Sequence, residues 1–230
     1  MLLLIPFLGV LGMVYLLRGG YVPARYLPFA SIELDQPGFV LFNDWRLASL
    51  RRDREACLEV FDRPDVEVEL VEDRALVDGC GWENAVRIKR VGGVAISPTV
   101  LTCPAAAAFA SWVMNEVQPA AREHLKQRVA GISHFGSYAC RNMRTGGRLG
   151  SNRRSEHATA DAIDVSAFKL EDGTKLSVLR DWEGSGEESR FLRTVHRGAC
   201  RYFRVVLGPE ANALHRNHFH FDRGWLWSCR

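Results

Sequence analysis

Six cysteines spread over most of the chain constrain its fold more than any other sequence feature. They are Cys57, Cys80, Cys103, Cys140, Cys200 and Cys229. An even, widely spaced set without a Cys-x-x-Cys pair is typical of a disulfide framework formed in an oxidising compartment such as the periplasm. The alternative is six buried free thiols. Spacing alone does not determine the partners; we predict Cys57 with Cys80, Cys140 with Cys200, and Cys103 with Cys229.

The bulk composition is that of a globular protein. The 230 residues are 47% hydrophobic and 25% charged, which suits one domain with a sizeable core, or a small domain with an appendage. Thirty basic and 27 acidic residues give a net charge of +3. This near balance gives little reason to expect a nucleic acid as partner.

The N-terminus carries an apolar stretch over residues 2–17. It is slightly short for a spanning helix of about 20 residues and long for the core of a signal peptide. No small-x-small cleavage site follows, so residues 1–20 are predicted as a signal anchor in the inner membrane, with a cleaved signal peptide as the alternative. Arg18 and Arg25 follow the apolar stretch and would favour a cytoplasmic domain, whereas the cysteines favour the periplasmic side or secretion to the periplasm.

The rest of the chain divides into a linker over residues 21–50, rich in proline, and a domain over residues 51–230. Helical spacing is found at 52–61, 102–117, 119–126 and within 188–203. Extended patterns are found at 66–71, 85–90, 94–96, 129–138, 162–165 and 204–207. Helices and strands alternate irregularly, which predicts an α+β fold.

Two short segments concentrate the residues that could bind a metal. The first contains His157 and Asp164, separated by small residues that would let the chain turn tightly. A catalytic zinc needs about three protein ligands, drawn from imidazole and carboxylate, and one position open to water. Asp164 stands between Ile163 and Val165, and a carboxylate in an apolar strand is costly unless a cation or several donors lie beside it.

The second segment contains His218 and His220, which alternate with Phe219 and Phe221. Strand geometry would place both imidazoles on one face and both rings in the core. One imidazole could bind the metal while the other polarises the water or holds the leaving group. A single histidine is more often a hydrogen-bonded structural residue, so the pair gains weight only beside the first segment.

The first segment resembles a known signature. Ser155-x-His157-x-x-Ala160-x-Ala162-x-Asp164 is similar to the Ser-x-His-x-x-Gly-x-Ala-x-Asp motif of zinc D-Ala-D-Ala carboxypeptidases and dipeptidases. Ala160 replaces the usual glycine, a change compatible with the turn unless a positive φ is required. The closing His-x-His is similar to that of the penicillin-insensitive murein endopeptidases, which belong to the same structural superfamily.

The stretch from about residue 57 to residue 222 resembles the bacterial extensin-like C-terminal domain family. The segments that carry this resemblance are Gly136-Ser137-Tyr138-Ala139-Cys140-Arg141, Ser155-Glu156-His157-Ala158, Ala162-Ile163-Asp164, Leu207-Gly208-Pro209 and His218-Phe219-His220. These resemblances imply a zinc peptidase-like fold, with a small antiparallel sheet flanked by helices. They also imply Zn²⁺ bound by His157, Asp164 and His220.

The resemblance also implies roles for three further residues. His218 would act in acid–base catalysis or stabilise the transition state, and His215 would assist it. Asn217 occupies the position of the Glu base of the carboxypeptidases, which favours the endopeptidase branch. Arg141 is similar to the arginine of a Ser-Gly-Tyr-Arg segment that holds a substrate anion, although Ala139-Cys140 lengthens that segment here.

The first hypothesis for function is therefore a zinc-dependent peptidase that cleaves peptide bonds in peptidoglycan stem peptides or cross-links. The second is a non-catalytic wall-binding or scaffold module on the same fold. A third, nucleic-acid binding through the basic loop 141–154, would require strongly salt-dependent DNA binding.

Overall fold

The computed structural model describes residues 12, 15–16, 18–23, 26–27, 30–37, 40–144 and 152–230. Most of the predicted anchor, residues 2–17, lies outside this set. Among the described residues, no helix is both long enough and apolar enough to cross a bilayer.

Nine strands of the described chain form one sheet. Its order is β1-β4-β5-β6-β7-β10-β9-β11, with β8 beside β7. The strands are β1 Val66–Leu70, β4 Ala85–Val91, β5 Val94–Thr102, β6 Val129–His134, β7 Ala162–Leu170, β8 Lys175–Ser177, β9 Val205–Leu207, β10 Phe219–Asp222 and β11 Ser228–Cys229; β2 Arg74–Val77 and β3 Cys80–Trp82 form a separate hairpin.

This architecture confirms the α+β class and corrects the prediction of a small antiparallel sheet. The sheet is large and mixed, because β5 pairs with β6 and β9 with β11 in parallel. A long helical crossover joins β5 to β6, and such a connection returns the chain in the same direction. Local patterns indicated most strands of this sheet, although not β8 and β11, and they gave no pairing partner for any strand. The size and mixed character of the sheet were therefore not predictable from them.

The helices cover the apolar face of the sheet. They are α1 Val40–Ser49, α2 Arg54–Phe61, α3 Cys103–Trp112, α4 Gln118–Ala120, α5 Val178–Asp181 and α6 Glu187–Ala199. Every residue of α3 is buried, which explains its run of alanines, since small side chains allow close approach to the sheet. Trp112 fixes α3 to α6 by donating from Nε1 to the carbonyl of Val195 at 2.8 Å.

Two predicted helices, 102–117 and 119–126, are one continuous helical run. Wider π-helical turns at Val113–Val117 and Ala121–Leu125 flank α4. Gln118 N donates to Val113 O, an i to i+5 bond, so the run passes through Pro119 with a locally altered bonding pattern. Helix α1 lies inside the stretch predicted as a linker, and its Leu47 belongs to the main core.

Three disulfides join the cysteines, as predicted, but all three predicted pairings are wrong. The bonds are Cys57–Cys103, Cys80–Cys140 and Cys200–Cys229. Cys57 on α2 and Cys103 at the start of α3 meet because these helices pack together. Partners are set by the tertiary contacts between elements, which cysteine spacing does not encode.

Candidate metal centre

The candidate centre begins with a pair of residues on neighbouring strands. In the antiparallel pairing of β7 and β10, Asp164 lies directly opposite His220, between the pairs Ile163–Phe221 and Val165–Phe219. Alternation sends the four apolar side chains into the core, so the carboxylate and the imidazole share the other face. His220 Nδ1 lies 2.9 Å from Asp164 Oδ1.

His157 reaches the same point from a short 3₁₀ turn, Glu156–Thr159. The Ser155 side chain caps this turn by accepting from the His157 amide, and the turn ends at Ala160 with φ of 54°. Ala160 therefore adopts the left-handed backbone that glycine favours, in the place where the related signature has glycine. His157 Nε2 lies 3.1 Å from Asp164 Oδ1 and 3.2 Å from His220 Nδ1.

These three atoms form a nearly equilateral triangle. Each residue offers one ligand atom, and all three atoms lie within 4.8 Å of one another. Ligand atoms around a tetrahedral zinc, at about 2.0–2.2 Å from the ion, are about 3.3–3.6 Å apart. Movements of a few tenths of an ångström would therefore admit the ion, and two imidazoles with one carboxylate are a donor set that zinc hydrolases use.

The other ring nitrogens of both histidines are already engaged. His157 Nδ1 donates to the carbonyl of Ser137 at 3.0 Å, and His220 Nε2 donates to Asp222 Oδ2 at 3.0 Å. Since each partner only accepts, these bonds leave Nε2 of His157 and Nδ1 of His220 as the nitrogens available to a metal. Such outer partners fix the orientation of the ring and raise the basicity of the ligand.

The electrostatics of the triangle favour a cation. Burial would raise the pKa of Asp164, but hydrogen bonds and charges from His157 and His220 hold it well below its usual range. Burial also opposes the proton on His220, yet Asp164 and Asp222 outweigh it and raise the pKa of His220 to about 9. A carboxylate that stays ionised in a mostly buried place stabilises a positive charge beside it, which can be a protonated imidazole or a metal ion.

Two further predicted residues, His218 and His215, line the same cavity. His218 Nδ1 donates to Asn217 Oδ1 at 2.8 Å, and its Nε2 lies 3.6 Å from Asp164 Oδ1. The ring of His215 is centred 5.2 Å from that of His218. Burial lowers the pKa of His218; for His215, burial with the charges of His220 and His218 lowers it to about 4.

Arg141, the predicted anion-binding residue, also lines the cavity. It is half-buried and donates to the carbonyl of Asn142 at 3.4 Å. Its charge acts on both cavity histidines, lowering the pKa of His215 and of His218. Five of the six predicted site residues thus line one cavity. The sixth, His157, is buried and contacts Asp164 and His220 from behind the cavity wall. The six residues come from four separate segments of the chain.

Comparison with known sequences identifies the family. A family model described as Extensin-like protein C-terminus matches residues 55–230. The chain belongs to this family. The match begins within α2 and covers all six predicted site residues. No curated protein and no solved structure gave a significant match to the chain.

The cavity of this extensin-like domain has a volume of about 630 Å³. Its wall combines Asp164 and His220 with arginines and with exposed apolar side chains, including Trp225 and Trp227. Glu156, next to His157 in sequence, also faces it; burial, with the nearby charges of Asp222 and Asp161, raises its pKa to about 7.

Sequence reasoning missed three contributors to the site. Asp222 orients His220, Ser137 orients His157 through its carbonyl, and Glu156 adds a carboxyl group to the cavity. Asp222 could have been suspected from its strand spacing, since residue i+2 on the same face can reach His220. The role of Ser137 lies in the backbone and leaves no sequence signal.

Proposed function

We propose that this extensin-like domain is a zinc-dependent hydrolase that cleaves peptide bonds in peptidoglycan stem peptides or cross-links. One observation carries the proposal: the ligand atoms of His157, Asp164 and His220 converge within 4.8 Å. They do so beside a cavity large enough for a substrate. Three protein ligands leave the fourth position of a tetrahedral ion for water, which distinguishes catalytic from structural zinc sites.

The donors fit zinc in chemistry as well as in spacing. Each imidazole keeps one nitrogen for the metal because the other is held by an acceptor. When bound, zinc lowers the pKa of its water to about 7 and polarises the substrate carbonyl. The protein holds its ligands in place and excludes bulk solvent, since the side chain of Asp164 is only 16% exposed.

His218 is the proposed acid–base residue. Its Nδ1 proton is held by Asn217, so the lone pair on Nε2 points toward the side of the triangle where Asp164 Oδ1 lies. An imidazole in this tautomer can take a proton from the attacking water and later deliver it to the departing amine. His215, adjacent to His218, would support this step by contact with its ring.

Arg141 is the proposed anion-binding residue. Its guanidinium can bind a carboxylate of the substrate in the cavity, or the oxyanion that develops when the carbonyl is attacked. No other residue predicted from the sequence brings a fixed positive charge to this site, since His215 and His218 favour the neutral form.

The substrate class rests on the likeness of two motifs, Ser155 to Asp164 and His218-x-His220, to those of zinc enzymes that cleave cell-wall peptides. Three disulfides suit an oxidising compartment. We therefore place the domain on the periplasmic side of the inner membrane, held by residues 2–17, or free in the periplasm. Its partners would be peptidoglycan peptides rather than nucleic acid.

Mass spectrometry of defined muropeptides would test this proposal. Zinc-loaded protein should release shorter peptides, whereas chelated protein and the His218→Ala variant should not. Binding of the same muropeptides without cleavage would contradict hydrolysis and favour the wall-binding alternative. Cleavage that survives complete removal of metal would contradict the role of zinc.

A further inference from the structure

Two tryptophans near the C-terminus form part of the cavity wall. Trp225 is 56% exposed and Trp227 is 65% exposed, yet both line the same cavity as Asp164 and His220. Neighbouring aromatic side chains that stay exposed beside a candidate active site are typical of a surface that binds a ligand or partner.

The segment that carries them, residues 222–230, is fixed at both ends. At its start, Gly224 N donates to Asp222 Oδ1, and Arg204 donates to the carbonyl of Gly224. At its end, β11 pairs with β9, and Cys229 is bonded to Cys200. The two indoles are therefore presented by an anchored backbone, which lowers the entropy lost when a ligand binds.

Each indole is supported by a cation. The guanidinium of Arg153 lies 3.9 Å from the ring centroid of Trp225, and that of Arg204 lies 5.4 Å from the ring of Trp227. Each of these cation–π contacts holds the indole in place against the guanidinium. The exposure that remains leaves a substantial part of each indole available to a ligand.

The chemistry of this wall fits a sugar ring joined to an anionic peptide. A pyranose presents a face of C–H bonds that packs flat on an indole, while its hydroxyl and amide groups remain at the edge and keep their water. Arg141, Arg144 and Arg230 line the same cavity and suit the carboxylates of a peptide. The volume of about 630 Å³ exceeds what the two residues beside a scissile bond would occupy.

We infer that Trp225 and Trp227 form a sugar-stacking subsite, so that the domain acts on stem peptides still attached to their glycan. This inference rests on the proposed function for its substrate class. The amino sugar packs on the indoles, and the peptide attached to it extends across the cavity toward His157, Asp164 and His220.

Binding and cleavage together test the subsite. Calorimetric titration with glycan strands stripped of peptides should show binding to the zinc-loaded protein. Replacing both tryptophans, Trp225→Ala with Trp227→Ala, should weaken it roughly tenfold or more. Trp45→Ala is the matched control, because Trp45 is half exposed on α1 and does not line the cavity. In cleavage assays, kcat/KM should be higher for glycan-linked than for free peptide dimers, and the double variant should lose this preference.

The outcomes separate the subsite from the proposed function. Tryptophan-dependent glycan binding without hydrolysis would support the subsite and contradict the hydrolase. Cleavage without any preference for glycan-linked peptides would support the hydrolase and contradict the subsite. Absence of glycan binding by the native protein, or equal binding by the double variant, would overturn the inference. So would tryptophan-dependent binding to phosphatidylglycerol vesicles in place of glycan, which would assign the indoles to a membrane surface.

Discussion

Asp164 and His220 are directly opposite residues of two antiparallel strands, and their side chains meet at 2.9 Å. The pair lies between flanking residues that face the core, so a slip of one residue in β10 would turn His220 inward and separate it from Asp164. The position of the candidate metal centre is thus fixed by the same apolar packing that stabilises the sheet. Of the three candidate ligands, only His157 lies on a separate turn.

Asp222 should control the affinity of the site without being a ligand. In the Asp222→Ala variant, His220 Nε2 loses its acceptor, so the ring is free to rotate. We expect zinc to bind about 10- to 100-fold more weakly, as measured by competition with a chelator. Glu171→Ala removes an exposed carboxylate that does not line the cavity and serves as control. Equal affinities in both variants would refute the positioning role.

His218 should matter for turnover and little for metal binding. Its Nε2 lies outside the ligand triangle, 3.6 Å from Asp164 Oδ1. We expect His218→Ala to reduce kcat by about 10²- to 10⁴-fold, while the zinc content stays at one equivalent. Loss of zinc in this variant would instead show that His218 is a zinc ligand.

Zinc binding should release a proton near neutral pH. In the metal-free protein, Asp164 and Asp222 overcome the opposing effect of burial and raise the pKa of His220 to about 9. The metal must displace that proton below this pH, so apparent affinity should fall by about tenfold for each unit of decreasing pH. Calorimetry in buffers of different ionisation enthalpy measures the release. An affinity that does not change between pH 6 and pH 8 would contradict it.

Stability should depend on a buried histidine that packs against the core side of β10. His196 packs between Trp182 and Phe219, and burial, partly offset by Glu210, lowers its pKa to about 4. The unfolded chain takes up this proton near pH 6.5, whereas the folded protein resists until about pH 4. His196 therefore favours folding above pH 6.5, and about 3 kcal/mol of that contribution is lost as the pH falls to 4.

Denaturant unfolding at several pH values checks this effect. The free energy of unfolding of the native protein should fall more steeply between pH 6.5 and pH 4 than that of His196→Gln. The replacement cannot gain a charge in that range, so its own curve reports the remaining groups. Parallel curves for the two proteins would show that folding does not lower the pKa of His196, which would contradict the prediction.

Local patterns predicted much of the secondary structure. The strand predicted at 66–71 is Val66–Leu70, and the helix predicted at 52–61 is Arg54–Phe61. Alternation also placed Phe219 and Phe221 correctly in the core. These features depend on hydrophobic periodicity over a few residues, and this periodicity can be read directly from the sequence.

Features that depend on distant partners were not predictable. The parallel pairing of β5 with β6 follows from a long crossover, and Cys80 meets Cys140 only because the hairpin packs beside the segment after β6. The carbonyl of Ser137, which orients His157, has no side-chain signature. Long-range packing decides each of these, and a single sequence gives no pairwise information about it.

Anomalous diffraction at the zinc edge, from crystals of zinc-loaded protein, tests the central claim most directly. The account predicts one strong peak within about 2.0–2.2 Å of His157 Nε2, His220 Nδ1 and a carboxylate oxygen of Asp164. It also predicts that the peak is absent in His157→Ala. A crystal with zinc bound elsewhere, or with this triangle closed by hydrogen bonds in the presence of excess zinc, would contradict it.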